Sequence, residues 1–242
     1  MDDSFTMGQH TSQQFDRELE AVRTKALTMG GLVEAQCEKA IEALVKGDGA
    51  LAEAVALGDL PINALEVEIS AECMDILARR QPAASDLRMI LSVIRLVADL
   101  ERVGDEAEKI GRLAAALADS RTRSDFVSSP RHLGSSVVSM LRDALDAFAR
   151  LDVEAAVAVA ARDADIDQEF ESVTRLMLTH VMEEPQQVKN MLRVNWCARA
   201  MERIGDHAEN ICEEVIFLVR GSDVRHLSIE EIQARFAPGT PA

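Results

Sequence analysis

Glu101-Arg-Val-Gly-Asp-Glu-Ala-Glu-Lys-Ile110 recurs 101 residues later as Glu202-Arg-Ile-Gly-Asp-His-Ala-Glu-Asn-Ile211, with seven of the ten positions identical. Upstream, an offset of 104 places Gly30 on Gly134, Asp48 on Asp152, Asp59 on Asp163 and Ile62-Asn63 on Ile166-Asp167. The three-residue difference falls near the turns at Pro82 and Pro185, where a short deletion costs little. The chain is therefore one unit written twice.

Each unit reads as three helices. Phe15, Leu19, Val22, Ala26, Met29 and Val33 open a helical apolar stripe that runs to Lys46, and Gly47-Asp48-Gly49 ends it with an N-cap candidate for the next helix. A second pattern runs from Leu51 to Arg80, with Pro61 set to kink it or to start a new helix. Asp86 is placed to cap the third, and Asp119 to His132 is a polar linker. The plan repeats from Leu133 to Arg150, from an Asp152 cap through one long helix to about Met182, and from Val188 to Arg220. Gly221 suits the end of that last helix. A short helix over Ile229 to Phe236 and a frayed Ala237–Ala242 tail complete the chain. The expected fold is all-α: two tandem, pseudo-symmetric three-helix bundles over residues 14–120 and 130–221, with a C-terminal extension and tail over 222–242.

Composition agrees. The 242 residues are 48% hydrophobic with no Tyr and one Trp, which is helix-former usage and disfavours aromatic-rich β architectures. With 42 Asp+Glu against 26 Lys+Arg the net charge is −16, so nucleic acid is not an expected partner. Met1-Asp-Asp-Ser4 shows no basic or apolar leader, and no apolar run approaches a span, which points to the cytoplasm. Cys37, Cys73, Cys197 and Cys212 form no CxxC and read as small hydrophobes in a reducing compartment.

The chemistry-bearing residues are acids. Beside the buried stripe Leu96, Leu100, Val103, Ala107 and Ile110 stand Glu101, Asp105 and Glu108, about 100° around the helix. The second copy sets Glu202, Asp206 and Glu209 beside Cys197, Met201, Ile204, Ala208 and Ile211. Gly104 and Gly205 lie between the acids, where glycine costs roughly 1 kcal/mol in a helix, so something must approach the backbone there. On the partner helices Asp59 and Asn63 align with Asp163 and Asp167, and Asp165 and Glu169 thicken the second patch. Packed antiparallel, each unit would face acid with acid, and such a cluster needs a cation, protons or arginines. Oxygen ligands alone would suit Mg²⁺, Ca²⁺, Mn²⁺ or iron. The plainer alternative is a solvated face neutralised by Arg95, Arg102 or Arg203. His207 reads as surface decoration, Trp196 and Phe217 as core filling, and Gly30-Gly31 as an interruption or close-packing site. No Glu-x-x-His pair, phosphate loop, GxSxG or HExxH is present, so no reaction is indicated.

The doubled Leu100-Glu-Arg-Val-Gly-Asp105 and Met201-Glu-Arg-Ile-Gly-Asp206 resemble the signature of the PhoU family, accessory regulators of the bacterial phosphate-specific transport system. The likeness extends through Thr28-Met-Gly-Gly-Leu-Val33, Ala78-Arg-Arg-Gln-Pro82, Ser85-Asp-Leu-Arg88, Cys197-Ala-Arg199 and Gly221-Ser-Asp-Val-Arg-His226. The resemblance implies a non-enzymatic negative regulator of the phosphate-starvation response, often a homodimer. It would contact the transporter ATPase PstB and the sensor histidine kinase PhoR at the cytoplasmic face of the membrane. It also implies multinuclear metal clusters on E(D)-xxx-D pairs, here Glu101/Asp105, Glu202/Asp206 and Asp163/Asp167, with Glu108 and Glu209 alongside. The metal is open among Mg, Mn, Fe and Zn. The fourth pair has Asn63 after Asp59 and so lacks one charge. The alternative function is a metal-storage bundle.

Overall fold

The computed structural model describes residues 13–58, 60–82, 84–120, 126 and 128–236. Asp59, the start of the chain, much of the linker and the Ala237–Ala242 tail lie outside the described residues. Six long helices carry the architecture: α1 (Gln13–Lys46), α3 (Leu60–Arg80), α4 (Ala84–Ala118), α5 (Arg131–Arg150), α7 (Asp163–Glu183) and α8 (Val188–Arg220). Three shorter ones, α2 (Gly49–Ala56), α6 (Val153–Ala160) and α9 (Ile229–Phe236), complete the described helices, with a 3₁₀ turn at Pro185–Gln187. Among the described residues no helix is long and apolar enough to cross a membrane.

The two long middle patterns each divide. Asp48 caps α2 by accepting from Leu51 N at 3.0 Å, and Asp152 caps α6 by accepting from Ala155 N at 2.9 Å. Pro61 is the second residue of α3, a first-turn position where its missing amide is not needed. The second copy turns without a proline, so the single helix expected from Asp152 to Met182 is in fact α6 and α7. Its corner is fixed by Arg162, which donates to Asp143 at 2.6 Å and to Ser139 Oγ at 3.2 Å, both on α5. Asp86 is not the cap of α4; the helix begins at Ala84, and Asp86 sits buried in its first turn.

The copies close on each other along two seams. In the first, α1 packs on α5, and the contacts are reciprocal. A Cβ on Gly30 would stand 2.8 Å from Leu145 Cδ2, and one on Gly134 would stand 2.6 Å from Ile41 Cγ2. Because Gly30 aligns with Gly134 and Ile41 with Leu145, the pair obeys a pseudo-twofold. Gly30 is thus a close-packing site inside a continuous helix.

In the second seam α4 and α8 run antiparallel through polar contacts. Arg95 donates to Glu214 at 3.0 Å, Asp99 accepts from Asn210 at 3.1 Å and lies 2.8 Å from His207 Nδ1, and Arg203 pairs with Glu106 at 2.8 Å. His207 is therefore an interhelical partner of Asp99, not surface decoration. Phe217 is half-buried under the Arg95 guanidinium, 4.9 Å from its ring centre. One continuous apolar core runs through both copies, including Leu44, Leu96, Leu100, Met140 and Met201. A small second cluster of Val153, Val157, Ile216, Val224 and Ile232 fastens α9 to α6 and α8. All four cysteines are buried and unpaired, as their helical spacing predicts.

Candidate functional site

The acids of the second copy meet across the α7–α8 hairpin. Thr174 donates to Asn195 at 2.9 Å, and Arg199 lies over the Phe170 ring at 5.5 Å, which sets an antiparallel register. A Cβ on Gly205 would stand 3.1 Å from Ile166 Cγ2 and 3.6 Å from Asp163 Oδ1, so this glycine admits α7 to the backbone of α8. That register brings Asp163 and Asp167 to the level of Asp206 and Glu202. The turn at Arg162 makes Asp163 the first residue of α7, not a mid-helix residue.

Burial and crowding shape this group. Glu202 is only 5% exposed; Arg199 donates to its Oε1 at 2.6 Å, while Oε2 has no partner. Asp163 Oδ1 is likewise buried and without a partner. Burial, then the charges of Asp206 and Asp167, push the Asp163 carboxyl up to about 6. Burial, then Asp206, push Glu202 up to about 7. Glu209 rises to about 7 through burial and Asp163, and Asp206 rises through burial and Asp167. Glu213 continues the stripe and is also raised to about 7, by burial and then Glu214. The 4-3-4 spacing of Glu202, Asp206, Glu209 and Glu213 is the signal that places it there.

The first copy differs. Arg102 lies 3.5 Å from Glu101 and 3.6 Å from Asp105, Arg112 lies 3.3 Å from Glu108, and Lys109 and Arg203 hold Glu106 at 2.9 and 2.8 Å. The residues aligned with Lys109 and Arg112 are Asn210 and Glu213, and Arg203 is turned across the seam to Glu106. The second stripe has thus lost two of the cations present in the first copy and has the third turned away, and its one ion pair is Arg199 on Glu202. Asp163, Asp167, Asp206 and Glu209 make no ion pair among the described residues.

Two expected contributors face elsewhere. Glu169 lies 2.9 Å from His132 Nδ1 and accepts from Ser136 Oγ at 3.1 Å, so it and Asp165 line a separate groove between α5 and α7. Trp196 is 51% exposed and fills no core space. The oxygen-only donors and the two orphaned carboxylate oxygens fit the charge of a hard cation. Among the described residues, however, no three Asp, Glu, His or Cys side chains form a ready-made metal site.

A duplicated three-helix unit, closed on a polar seam and carrying one acidic face lined with cations and one only partly neutralised, defines a tandem helical-bundle scaffold. The family model described as the PhoU domain matches twice, at residues 26–114 and 131–215. The chain belongs to the PhoU family. It is 50% identical over 225 residues to a protein of Pseudomonas putida named phosphate-specific transport system accessory protein PhoU homolog, covering 93% of this chain and 88% of the relative. It is 42% identical over 235 residues to the phosphate-specific transport system accessory protein PhoU of Escherichia coli K12, covering 97% of each. The crystal structure of PhoU from Pseudomonas aeruginosa is similar at a TM-score of 0.83 and 48% identity, covering 86% of this chain and all of that one.

Proposed function

We propose that this chain regulates phosphate transport as a non-enzymatic accessory protein, linking the transporter ATPase to the sensor histidine kinase and holding the phosphate-starvation response off when phosphate is plentiful. The observation that carries the docking part of this reading is the under-neutralised stripe of Asp163, Asp167, Asp206 and Glu209, which make no ion pair among the described residues, flanked by Glu202 with Arg199 as its one cation and by Glu213. Carboxylates forced together with too little counter-charge are relieved by an incoming cation, and a basic protein surface supplies one. Charge complementarity of this kind sets encounter rate and partner choice more than affinity. The accessory names of the relatives support the transport setting.

The test is the variant Glu202→Gln/Asp206→Asn, assayed by pull-down with the ATPase and the kinase and by a phosphate-starvation reporter. Loss of pull-down and derepression of the reporter are expected. Full binding with normal repression sinks the proposal.

The orphaned Asp163 Oδ1 and Glu202 Oε2 favour a second reading, in which metal ions are the counter-charge. Asp163, Asp167, Glu202, Asp206 and Glu209 would hold them, and a hard divalent ion or iron would screen the mutual repulsion. Elemental analysis of chelator-free, untagged protein separates the readings: stoichiometric metal that is lost in the same double variant supports this one, and metal-free protein that still binds both partners removes it.

A further inference from the structure

The outer face of the α7–α8 hairpin has two halves, and only one of them is acidic. Toward the Pro185–Gln187 turn the same face exposes Leu178 and Met182 on α7 and Val188, Leu192 and Trp196 on α8, with Met182 83% exposed. On α8 the three recur every fourth residue, and on α7 the two are four apart, so each helix offers one ridge. The antiparallel register sets Leu178 level with Leu192 and Met182 level with Val188, which gathers these four at the turn end of the hairpin, with Trp196 one helical turn beyond Leu192. Large apolar side chains gathered on an exposed face mark an interaction site more often than scattered ones do. In the first copy the position of Trp196 is held by Arg95, which is committed to Glu214.

Further along the same groove lie Asp167, Glu202 and Asp206. Asp167 and Asp206 make no ion pair among the described residues, while Glu202, more than nine-tenths buried, gives one oxygen to Arg199 and keeps the other without a partner. An occupant must satisfy both halves. A second copy of this chain, paired patch to patch, would cover the apolar half and leave the acids uncompensated; shifted along the groove, it would set acid against acid. A lipid surface with anionic headgroups is repelled by a chain of net charge −16. A helix that is apolar at one end and basic at the other satisfies both halves. From Val188 to Asp206 the face runs about 27 Å at 1.5 Å per residue, the length of a helix of about 18 residues.

We propose that this face is a docking groove for an amphipathic α-helix of a partner protein. Its apolar half packs on Leu178, Met182, Val188 and Leu192, beside Trp196, and Lys or Arg side chains in its other half reach Asp167 and Asp206. The proposal rests on the adaptor reading above and gives that partner a chemistry. Helix-in-groove recognition needs these two features: apolar anchors at helical spacing, and a charged flank that fixes direction.

Trp196 is the sole tryptophan, and the chain has no tyrosine, so its emission reports the groove directly. The probe is a synthetic peptide of about 18 residues with Leu and Ile at helical spacing in one half and Lys and Arg in the other, titrated into the full chain. The control peptide carries Glu in place of the basic residues. The expected result is a saturable blue shift and protection from acrylamide quenching with the basic peptide only. Leu192→Asp should weaken binding about tenfold or more, even though it adds a negative charge that would strengthen indiscriminate binding of a cation. Met182→Asp, at a fully solvated position, should do the same. Glu202→Gln/Asp206→Asn should weaken binding and flatten its salt dependence.

An equal shift with the acidic peptide, with anionic vesicles, or with protein concentration alone would overturn the proposal, the last in favour of a self-association surface. Binding left intact in both aspartate variants would overturn it too. If Glu202→Gln/Asp206→Asn loses the peptide but keeps the ATPase and kinase in a pull-down, the groove stands and the adaptor reading falls. If the basic peptide fails to bind while the pull-down depends on the acids, the adaptor reading stands without the groove.

Discussion

Replacing Gly134 with alanine tests the α1–α5 seam at its tightest point. In an exposed helix the substitution stabilises by about 1 kcal/mol, because glycine carries more backbone entropy into the unfolded state. At Gly134 the new methyl would stand 2.6 Å from Ile41 Cγ2. That atom is attached to a β-branched carbon with a stiff χ1, so it cannot swing aside as the end of a leucine can. Overpacking of this kind costs about 1–3 kcal/mol, which leaves a net destabilisation of about 0–2 kcal/mol. Gly31, one residue from the other close contact, has nothing within 4 Å of its added Cβ, so Gly31→Ala should stabilise by about 1 kcal/mol. Ile41→Ala alone should cost about 2–5 kcal/mol, but in its background Gly134→Ala should become stabilising. The coupling between the two sites is then about 1–3 kcal/mol. Urea unfolding followed by far-UV circular dichroism, with unchanged m-values, measures all of these. If Gly134→Ala stabilises the otherwise unchanged protein as much as Gly31→Ala does, the reciprocal contact is not there and the pseudo-twofold seam is misread.

Three further outcomes are expected. Asp163, raised to about 6, and Glu202, Glu209 and Glu213, raised to about 7, keep protons in the folded state that the unfolded chain has released. Stability should therefore fall as pH rises from about 4 to 7 and level off above, by about 1–3 kcal/mol in all after solvent screening; a urea midpoint that climbs over that range refutes it. Burial pushes the Cys37 and Cys197 thiols up to about 12 and Cys73 up to about 11, and raises Cys212 as well, so a thiol-titrating dye should find none in the native protein and all four in denaturant. Asp48→Ala and Asp152→Ala should each cost about 1 kcal/mol, and the Asn variants much less, because each aspartate caps a short helix; equal losses for Ala and Asn would mean the caps are incidental.

Whatever repeats within one helix, or across the offset of the two copies, is legible in the sequence. Apolar stripes give the long helices, and the aligned glycines and acids give the pseudo-twofold and the two faces. The corner at Arg162 is not legible, because it depends on Asp143 and Ser139 of a neighbouring helix and not on a local breaker. Nor is the fate of Arg203, which alignment places beside the second stripe while the antiparallel α4–α8 seam draws it to Glu106. His207 and Asp99 meet for the same reason. Residue type alone assigns Trp196 to the core, yet half of it stands in solvent. The inequality of the two stripes needs both kinds of information: Glu213 and Asn210 in place of Arg112 and Lys109 can be read from the sequence, but the loss of Arg203 cannot.

The reciprocal glycine contacts and the antiparallel α4–α8 pair have the geometry of an interface between two identical subunits, with a peptide joining α4 to α5 added afterwards. Neither half owns a complete core, since the apolar cluster runs through both. Supplied as separate polypeptides, α1–α4 and α5–α9 would each present a long unsatisfied surface whose best cover is the other half. This is the situation in which fragments reconstitute a whole, and it casts the present chain as a dimer in which the two partners have been free to diverge, one keeping Lys109 and Arg112 and the other holding Asn210 and Glu213 in their places.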